Sequence, residues 1–288
     1  MSTISQSFAS FIETIEPTKY HLETLIPARK KSAIENLEET FPAGSSMPFM
    51  HASLMGSAEK KTIVRPIDDI DVLAVFSNEK DAYYKYQFDS KNFLYRIRQA
   101  YDGVSTQQVG ARGQAVRVFF QSGGHVDVAP VFPGGGDDYL LPSGNGGWIT
   151  TSPFKANRWF TGRNQDLGNN LRPLVRLLKK WNREHSSRLS SFHLETMAAT
   201  VFTKLGSDRR TALKNFFEWA PSFLVVQDPG GHSGDLSSYL TWSSRQDVIR
   251  SFEAAKNRCE KAIEAESVAN LSEARRLWRI VLGEDFPG

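Results

Sequence analysis

Apolar residues fall at helical spacing at the start of the chain. Phe8, Phe11, Ile12 and Ile15 mark residues 3–16, and Leu22, Leu25, Ile26, Ile34 and Leu37 mark residues 20–40. This spacing predicts two helices, the second kinked at Pro27. The period then shortens to two. Segments 47–54, 69–76, 115–121 and 125–132 are rich in β-branched and aromatic residues and bounded by Gly or Ser, which predicts four main strands. A helical stretch, YYKYQFDSKNFLYRIRQAYD, separates the second from the third, and SGG at 122–124 predicts a hairpin joining the third to the fourth. The Gly-rich segment 133–147 reads as a loop. Beyond it the pattern is helical over about 165–185, 192–205, 208–219, 243–266 and 270–282, broken by a second long loop at 227–239. The expected fold class is α+β, with a mixed sheet and flanking helices in residues 1–150 and a helical half in 151–288.

The second strand, DIDVLAVF, breaks its own pattern. Side chains at i and i+2 of a strand share a face, so Asp69 and Asp71 project together while Ile70 and Val72 project into the core. In HVDVAPVF the same alternation sets Asp127 opposite Val126 and Val128. If the two strands are neighbours, three carboxylates converge. A buried carboxylate costs several kcal/mol unless it is paired, hydrogen-bonded or metal-bound. Hard divalent cations resolve the conflict, since Mg²⁺ takes oxygen ligands and bridges protein carboxylates to substrate phosphates. Two such ions can hold both the attacking and the leaving oxygen of an in-line displacement. A D-x-D pair at a strand end also serves as a turn cap or a solvated pair. The preceding Gly56 and Ser57 shift the balance, because glycine admits close approach of a ligand and serine adds an N–H and a hydroxyl to meet a phosphate.

Composition narrows the class. The 288 residues are 40% hydrophobic and 11% aromatic, enough for a sizeable core. Thirty-five basic against 32 acidic residues give a net charge of +3, too balanced to argue for a long nucleic-acid ligand. A single cysteine, Cys259, forms no internal disulfide and no zinc cluster. No apolar run approaches bilayer length and the N-terminus has no basic start or cleavage site, so a cytoplasmic enzyme without a membrane partner is expected.

The ordered series Gly56-Ser57, Asp69-x-Asp71 and Asp127 resembles the DNA polymerase β-like nucleotidyltransferase superfamily. Residues 171–202, LRPLVRLLKKWNREHSSRLSSFHLETMAATVF, are similar to the K-x-W and S-[FY]-x-x-E helices of its oligoadenylate synthetase and cGAS-like branch. VDVAP at 126–130 is close to the VDxxP of the bacterial CD-NTases of anti-phage signalling, which fit best in length and layout. The resemblance covers about residues 50–260. One departure is local: many relatives read Gly-Ser-aromatic-x-Arg-Gly-Thr, whereas this chain reads GSAEKKT, keeping Thr62 without the Arg-Gly pair.

The resemblance implies an enzyme that joins NTPs, ATP among them, into a cyclic di- or trinucleotide with release of pyrophosphate. It implies two Mg²⁺ ions, with Mn²⁺ as a substitute, on Asp69, Asp71 and Asp127, the last also serving or supporting the catalytic base. A separate cyclic-nucleotide effector would respond. It gives Gly56 and Ser57 to the phosphates, Lys179 and Ser191 likewise, Phe192 to stacking on a base, and Glu195 to support. From the residues themselves, Arg172, Arg176, Lys179 and Arg183 form one basic stripe on a helix, which suits either a triphosphate or solvent. Phe192 suits either stacking or core packing. By the same resemblance Gly288, after an extended Pro, is a candidate for conjugation by a ubiquitin-ligase-like partner, against an ordinary frayed end. A template-independent polymerase, a transferase acting on RNA, protein or a small molecule, and a silent nucleotide sensor are the alternatives. GGGDD at 134–138 lacks a flanking strand pair in this reading, and the six histidines show no ligand spacing.

Overall fold

A computed structural model describes residues 3–103 and 109–288, with the side chains of 109–112 outside the description. Helix α1 (Ile4–Ile15) starts in a capping box: the Thr3 hydroxyl accepts from the Gln6 amide and the Gln6 side chain accepts from the Thr3 amide. A π-helical turn, His21–Leu25, leads into α2 (Ile26–Thr40), so the irregularity falls in the turn just before Pro27, where the sequence predicts a kink at the proline itself. Next come β1 (Phe49–Leu54), the single turn α3 (Gly56–Glu59), β2 (Asp69–Phe76), α4 (Ala82–Tyr86) and α5 (Ser90–Arg98). Strands β3 (Val109–Arg112), β4 (Ala115–Phe119), β5 (His125–Gly135), β6 (Asp138–Pro142) and β7 (Trp148–Thr151) complete the sheet. Six helices follow: α6 (Pro153–Asp166), α7 (Leu171–Glu184), α8 (Ser191–Val201), α9 (Arg209–Trp219), α10 (Trp242–Ser267) and α11 (Leu271–Leu282).

The sheet order is β1-β2-β5-β4-β3, with β6 pairing the far end of β5 and β7 pairing β6. β2 and β5 run parallel and all other pairs are antiparallel. One face carries Ile70, Val72, Ala74 and Phe76 with Val126 and Val128, buried against Ala33 and Leu37 of α2 and Phe93 and Ile97 of α5. The opposite face carries Asp69 and Asp71, then a small apolar cluster of Leu73, Val75 and Val131. Alternation therefore gives β2 a dry face and a chemical face.

The helical half has its own core, in which Leu174, Leu177, Leu178 and Trp181 of α7 meet Phe216 and Phe217 of α9 and Phe252 of α10. Helix α1 opens the chain yet lends Ile4, Phe8, Phe11 and Ile15 to this second core. Among the described residues no helix is long and apolar enough to cross a membrane.

Two expectations are corrected. The Gly-rich stretch 133–147 is mostly strand: β5 runs to Gly135, Gly135 and Gly136 turn the chain at φ of +102° and +58°, and β6 returns against it. GGGDD thus spans a strand pair, but its Asp137 caps nothing chemical and pairs with Arg158 on the surface. The helix read over about 165–185 is α7, which starts only at Leu171, because Gly168 and Asn169 both adopt left-handed backbone at φ of +63° and +60°. Before that break lies a helix the sequence reading does not foresee, α6, which begins at Pro153, a residue that fits the first helical turn.

Candidate active site

The parallel register puts Asp71 directly beside Asp127, with Asp69 one step along beside His125. Three of the predicted residues are thus brought together where β2 and β5, two inner strands of the sheet, begin. Strand β4 adds a fourth, since Arg117 is the register partner of Asp127 on its other side. Arg117 donates from Nε to Oδ1 at 2.7 Å and from Nη2 to Oδ2 at 2.6 Å, a two-pronged pair that engages both oxygens of Asp127. His125 Nε2 stands 3.8 Å from the same carboxylate.

Crowding shows in the charge state of Asp71. Its carboxyl is raised from 3.8 to about 6, first by burial and then by the charges of Asp69 and Asp127, while Lys60 and Lys179 oppose the rise.

Gly56 explains its own identity. At φ +59° it favours glycine, and an added Cβ would lie 2.0 Å from Asp71 Oδ2. The Gly-Ser turn is therefore packed onto the carboxylate, and the Met55 amide donates to the Asp71 carbonyl at 2.8 Å. Ser57 is half-buried beside it, its carbonyl accepting from the Thr62 amide at 2.9 Å.

A cleft runs beside these carboxylates. One part, about 530 Å³, is lined by Asp71, Asp127, Gln114 and Ala129; the adjoining part, about 300 Å³, by Gly56, Lys60, Phe192 and Asp228. Both volumes fall in the range of small-molecule sites, roughly 300–1,000 Å³. Phe192 is half-buried in the cleft wall with Lys60 Nζ 4.6 Å from its ring centre, while Ser191 is exposed at the start of α8. The residue that caps α8 is Ser190, whose hydroxyl accepts from the His193 amide.

Lys179 has a different place from the one the sequence suggests. It is 6% exposed, with Nζ 2.5 Å from Glu195 Oε1 and donating to Thr62 Oγ1 at 3.2 Å. Lys60, 5% exposed, meets the other oxygen of Glu195 at 2.8 Å. Thr62 donates to Glu195 at 2.6 Å. Burial alone would raise the Glu195 carboxyl, but the two ammonium groups outweigh it and hold it at about 2, from 4.5. With two cations on one anion, burial pulls Lys179 below the usual lysine range against the opposing pull of Glu195.

The arginines of the basic stripe on α7 reach backbone carbonyls, although Arg183 remains exposed. Arg172 donates to the Lys60 carbonyl at 2.9 Å, Arg176 to the Lys61 carbonyl at 2.8 Å and Arg183 to the Val64 carbonyl at 3.4 Å. The stripe clamps the strap between α3 and β2, and the cation of this group that lines the cleft is Lys60.

Residues 1–164 match the family described as the Second Messenger Oligonucleotide or Dinucleotide Synthetase domain. The chain belongs to that family. It is a bacterial CD-NTase, a nucleotidyltransferase that makes second-messenger oligonucleotides. A probable cyclic nucleotide synthase of Bacillus cereus (strain VD146) is 25% identical over 268 residues, covering 81% of each chain. A cyclic AMP-AMP-AMP synthase of Acinetobacter sp. (strain ATCC 27244 / 9458) is 24% identical over 309 residues, covering 99% of this chain and 86% of its own. The structure of E. coli MS115-1 CdnC with ATP superposes with a TM-score of 0.79 at 22% identity, covering 99% of both chains.

Sequence reasoning on the CD-NTase missed Arg117 and Lys60. Arg117 was findable: in AVRVFF it is the lone charge between Val116 and Val118, which are fully buried, so alternation puts it on the face of the carboxylates. Lys60 sits in an irregular strap with no period to read. The loop 227–239 was foreseen as a loop but not as a cleft wall. His232 Nε2 reaches Ser152 Oγ at 2.8 Å and Asp138 Oδ1 at 3.1 Å, tying it to the sheet. Gly288 is exposed against Arg279, while Phe286 is fully buried beside Phe8 and Phe11.

Proposed function

We propose that the chain joins NTPs, ATP among them, into a cyclic di- or trinucleotide, releasing pyrophosphate at each transfer. The observation that supports it most is the Asp71–Asp127 register pair, closed on one side by Gly56 and open on the other to the cleft. The acid-rich cluster suits hard divalent cations, as the raised carboxyl of Asp71 reflects. Asp69, Asp71 and Asp127 would hold two Mg²⁺ ions, or Mn²⁺, which when bound supply charge neutralisation to the triphosphate and acidify the attacking hydroxyl.

The chain's own residues do the rest. Asp127 accepts, or helps to accept, the proton of the ribose hydroxyl. The amides of the Gly56-Ser57 turn and the Ser191 hydroxyl meet phosphate oxygens. Phe192 stacks a base, and Lys60, fixed by Glu195, sets the potential of the pocket. Lys179 acts through Glu195 rather than by touching phosphate. In this reading the catalytic half is residues 1–150, although α1 packs into the other core and β7 ends at Thr151, the helical half is residues 151–288, and substrate lies between them.

The setting we propose is anti-phage signalling in the cytoplasm. The product would activate a separate effector, and Gly288 would be the point of attachment for a ubiquitin-ligase-like partner. The test is incubation of the purified chain with four NTPs and Mg²⁺ or Mn²⁺, then phosphatase treatment and mass spectrometry, beside an Asp69→Ala, Asp71→Ala control. Phosphatase-resistant products of two or three nucleotides, absent from the control, bear it out; a linear ladder alone, or products retained in the control, overturn it.

A further inference from the structure

Asp127 does not stand open. Both its oxygens are taken by Arg117, a partly buried pair at 19% and 20% side-chain exposure, locked by register across β4 and β5. Among the described residues no three acidic, histidine or cysteine side chains form a ready-made metal cage. The third carboxylate is present in sequence and in position, but turned into an internal ion pair. We propose that Arg117 is the positioning residue of Asp127 and its resident counter-ion, and that the guanidinium competes with a divalent cation for that carboxylate. This rests on the metal reading of the three carboxylates given above.

Three observations carry the argument. The pair is two-pronged, which fixes the plane of the carboxylate as well as its charge. It is the register partner on β4, so the Arg117 backbone is held beside Asp127 and the guanidinium starts within reach of both oxygens. On the far side of Asp127 stands Asp71, so an Asp127 released from Arg117 faces like charge until a cation arrives. The competing groups are thus Arg117 and the incoming metal, acting on the same two oxygens. Displacement costs the hydrogen bonds of a charged pair, on the order of a tenfold to hundredfold weakening of metal affinity.

Direct binding of Mn²⁺ to the full chain without nucleotide, read by the electron paramagnetic resonance signal of free Mn²⁺, tests this. Parent, Arg117→Gln and Arg117→Lys are compared, with Asp69→Asn, Asp71→Asn as reference. Arg117→Gln should bind Mn²⁺ at least about tenfold tighter than the parent, and its metal-free melting temperature should fall and recover more on adding Mn²⁺. Arg117→Lys, a point charge that holds one oxygen at a time, should fall between the two and covers the case in which Arg117→Gln fails to fold. Equal or weaker Mn²⁺ binding in the variants, with the parent binding normally, overturns this inference and leaves the metal reading standing. Parent binding that the Asp69→Asn, Asp71→Asn reference does not abolish overturns both.

Discussion

Replacing Glu195 by Gln removes the anion that two buried lysines share. In the parent, Lys60 Nζ is 2.8 Å and Lys179 Nζ 2.5 Å from its oxygens, with Thr62 donating at 2.6 Å. All four side chains are 6% exposed or less. A Gln amide keeps one acceptor oxygen, but its NH₂ turns a donor toward a second ammonium that can only donate. Removing one partner from a buried ion pair costs about 3–5 kcal/mol, and for a chain of this size about 2 °C of melting temperature accompanies each kcal/mol. Glu195→Gln should therefore melt about 6–10 °C lower by differential scanning fluorimetry at pH 7. Lys179→Met leaves Glu195 with one lysine and Thr62, a balanced pair, and should cost less, about 1–3 kcal/mol. The pH dependence has a definite sign. The carboxyl is depressed from 4.5 to about 2, so its stabilisation is complete above 4.5 and disappears as pH falls through about 2. The gap between parent and Glu195→Gln should hold from neutral pH down to 4.5 and close between 4.5 and 2. A Glu195→Gln variant that melts with the parent, or a larger loss from Lys179→Met, refutes the reasoning.

Other outcomes follow from the site. Asp71→Asn should lose more than about a thousandfold in turnover while melting at or above the parent at pH 7, because it removes one of three mutually repelling charges; a lower melting point contradicts the crowding described. Gly56→Ala should abolish turnover and destabilise by about 1–3 kcal/mol through its Cβ against Asp71. Gly162→Ala, in open space within α6, should instead stabilise by about 0.4–1 kcal/mol. Phe192→Ala should lose about 1–3 kcal/mol of base binding, seen as a raised KM in initial-rate assays, and Phe192→Tyr should retain it.

Legibility in the sequence followed periodicity. Strands β2 and β5 announce themselves because their buried faces are nearly all β-branched or aromatic, and the three aspartates stand out against that background. Alternation placed Asp69, Asp71 and Asp127, but not the parallel pairing that sets Asp71 against Asp127, since register belongs to the tertiary fold. The β5–β6 hairpin was hidden by the glycines that make it possible. The stripe on α7 was legible as a stripe; its role was not, because its partners are backbone carbonyls of the strap at Lys60, Lys61 and Val64. Lys179 shows the same limit from the other side. Its spacing from Trp181 is visible in the chain, whereas the carboxylate that captures it stands on the next helix.

The Lys60–Glu195–Lys179 cluster also bears on how the enzyme can be rebuilt. One cation comes from the strap before β2, and the anion and the second cation come from α7 and α8. A chimaera that exchanges the helical half for that of a relative removes Lys179 and Glu195 and keeps Lys60. Unless the donor also places an acidic side chain opposite Lys60, the graft buries a charge without a partner at the wall of its own cleft. The halves of this enzyme are therefore separable on paper and bound by a shared electrostatic joint in practice, so any swap has to move the strap together with the helices it grips.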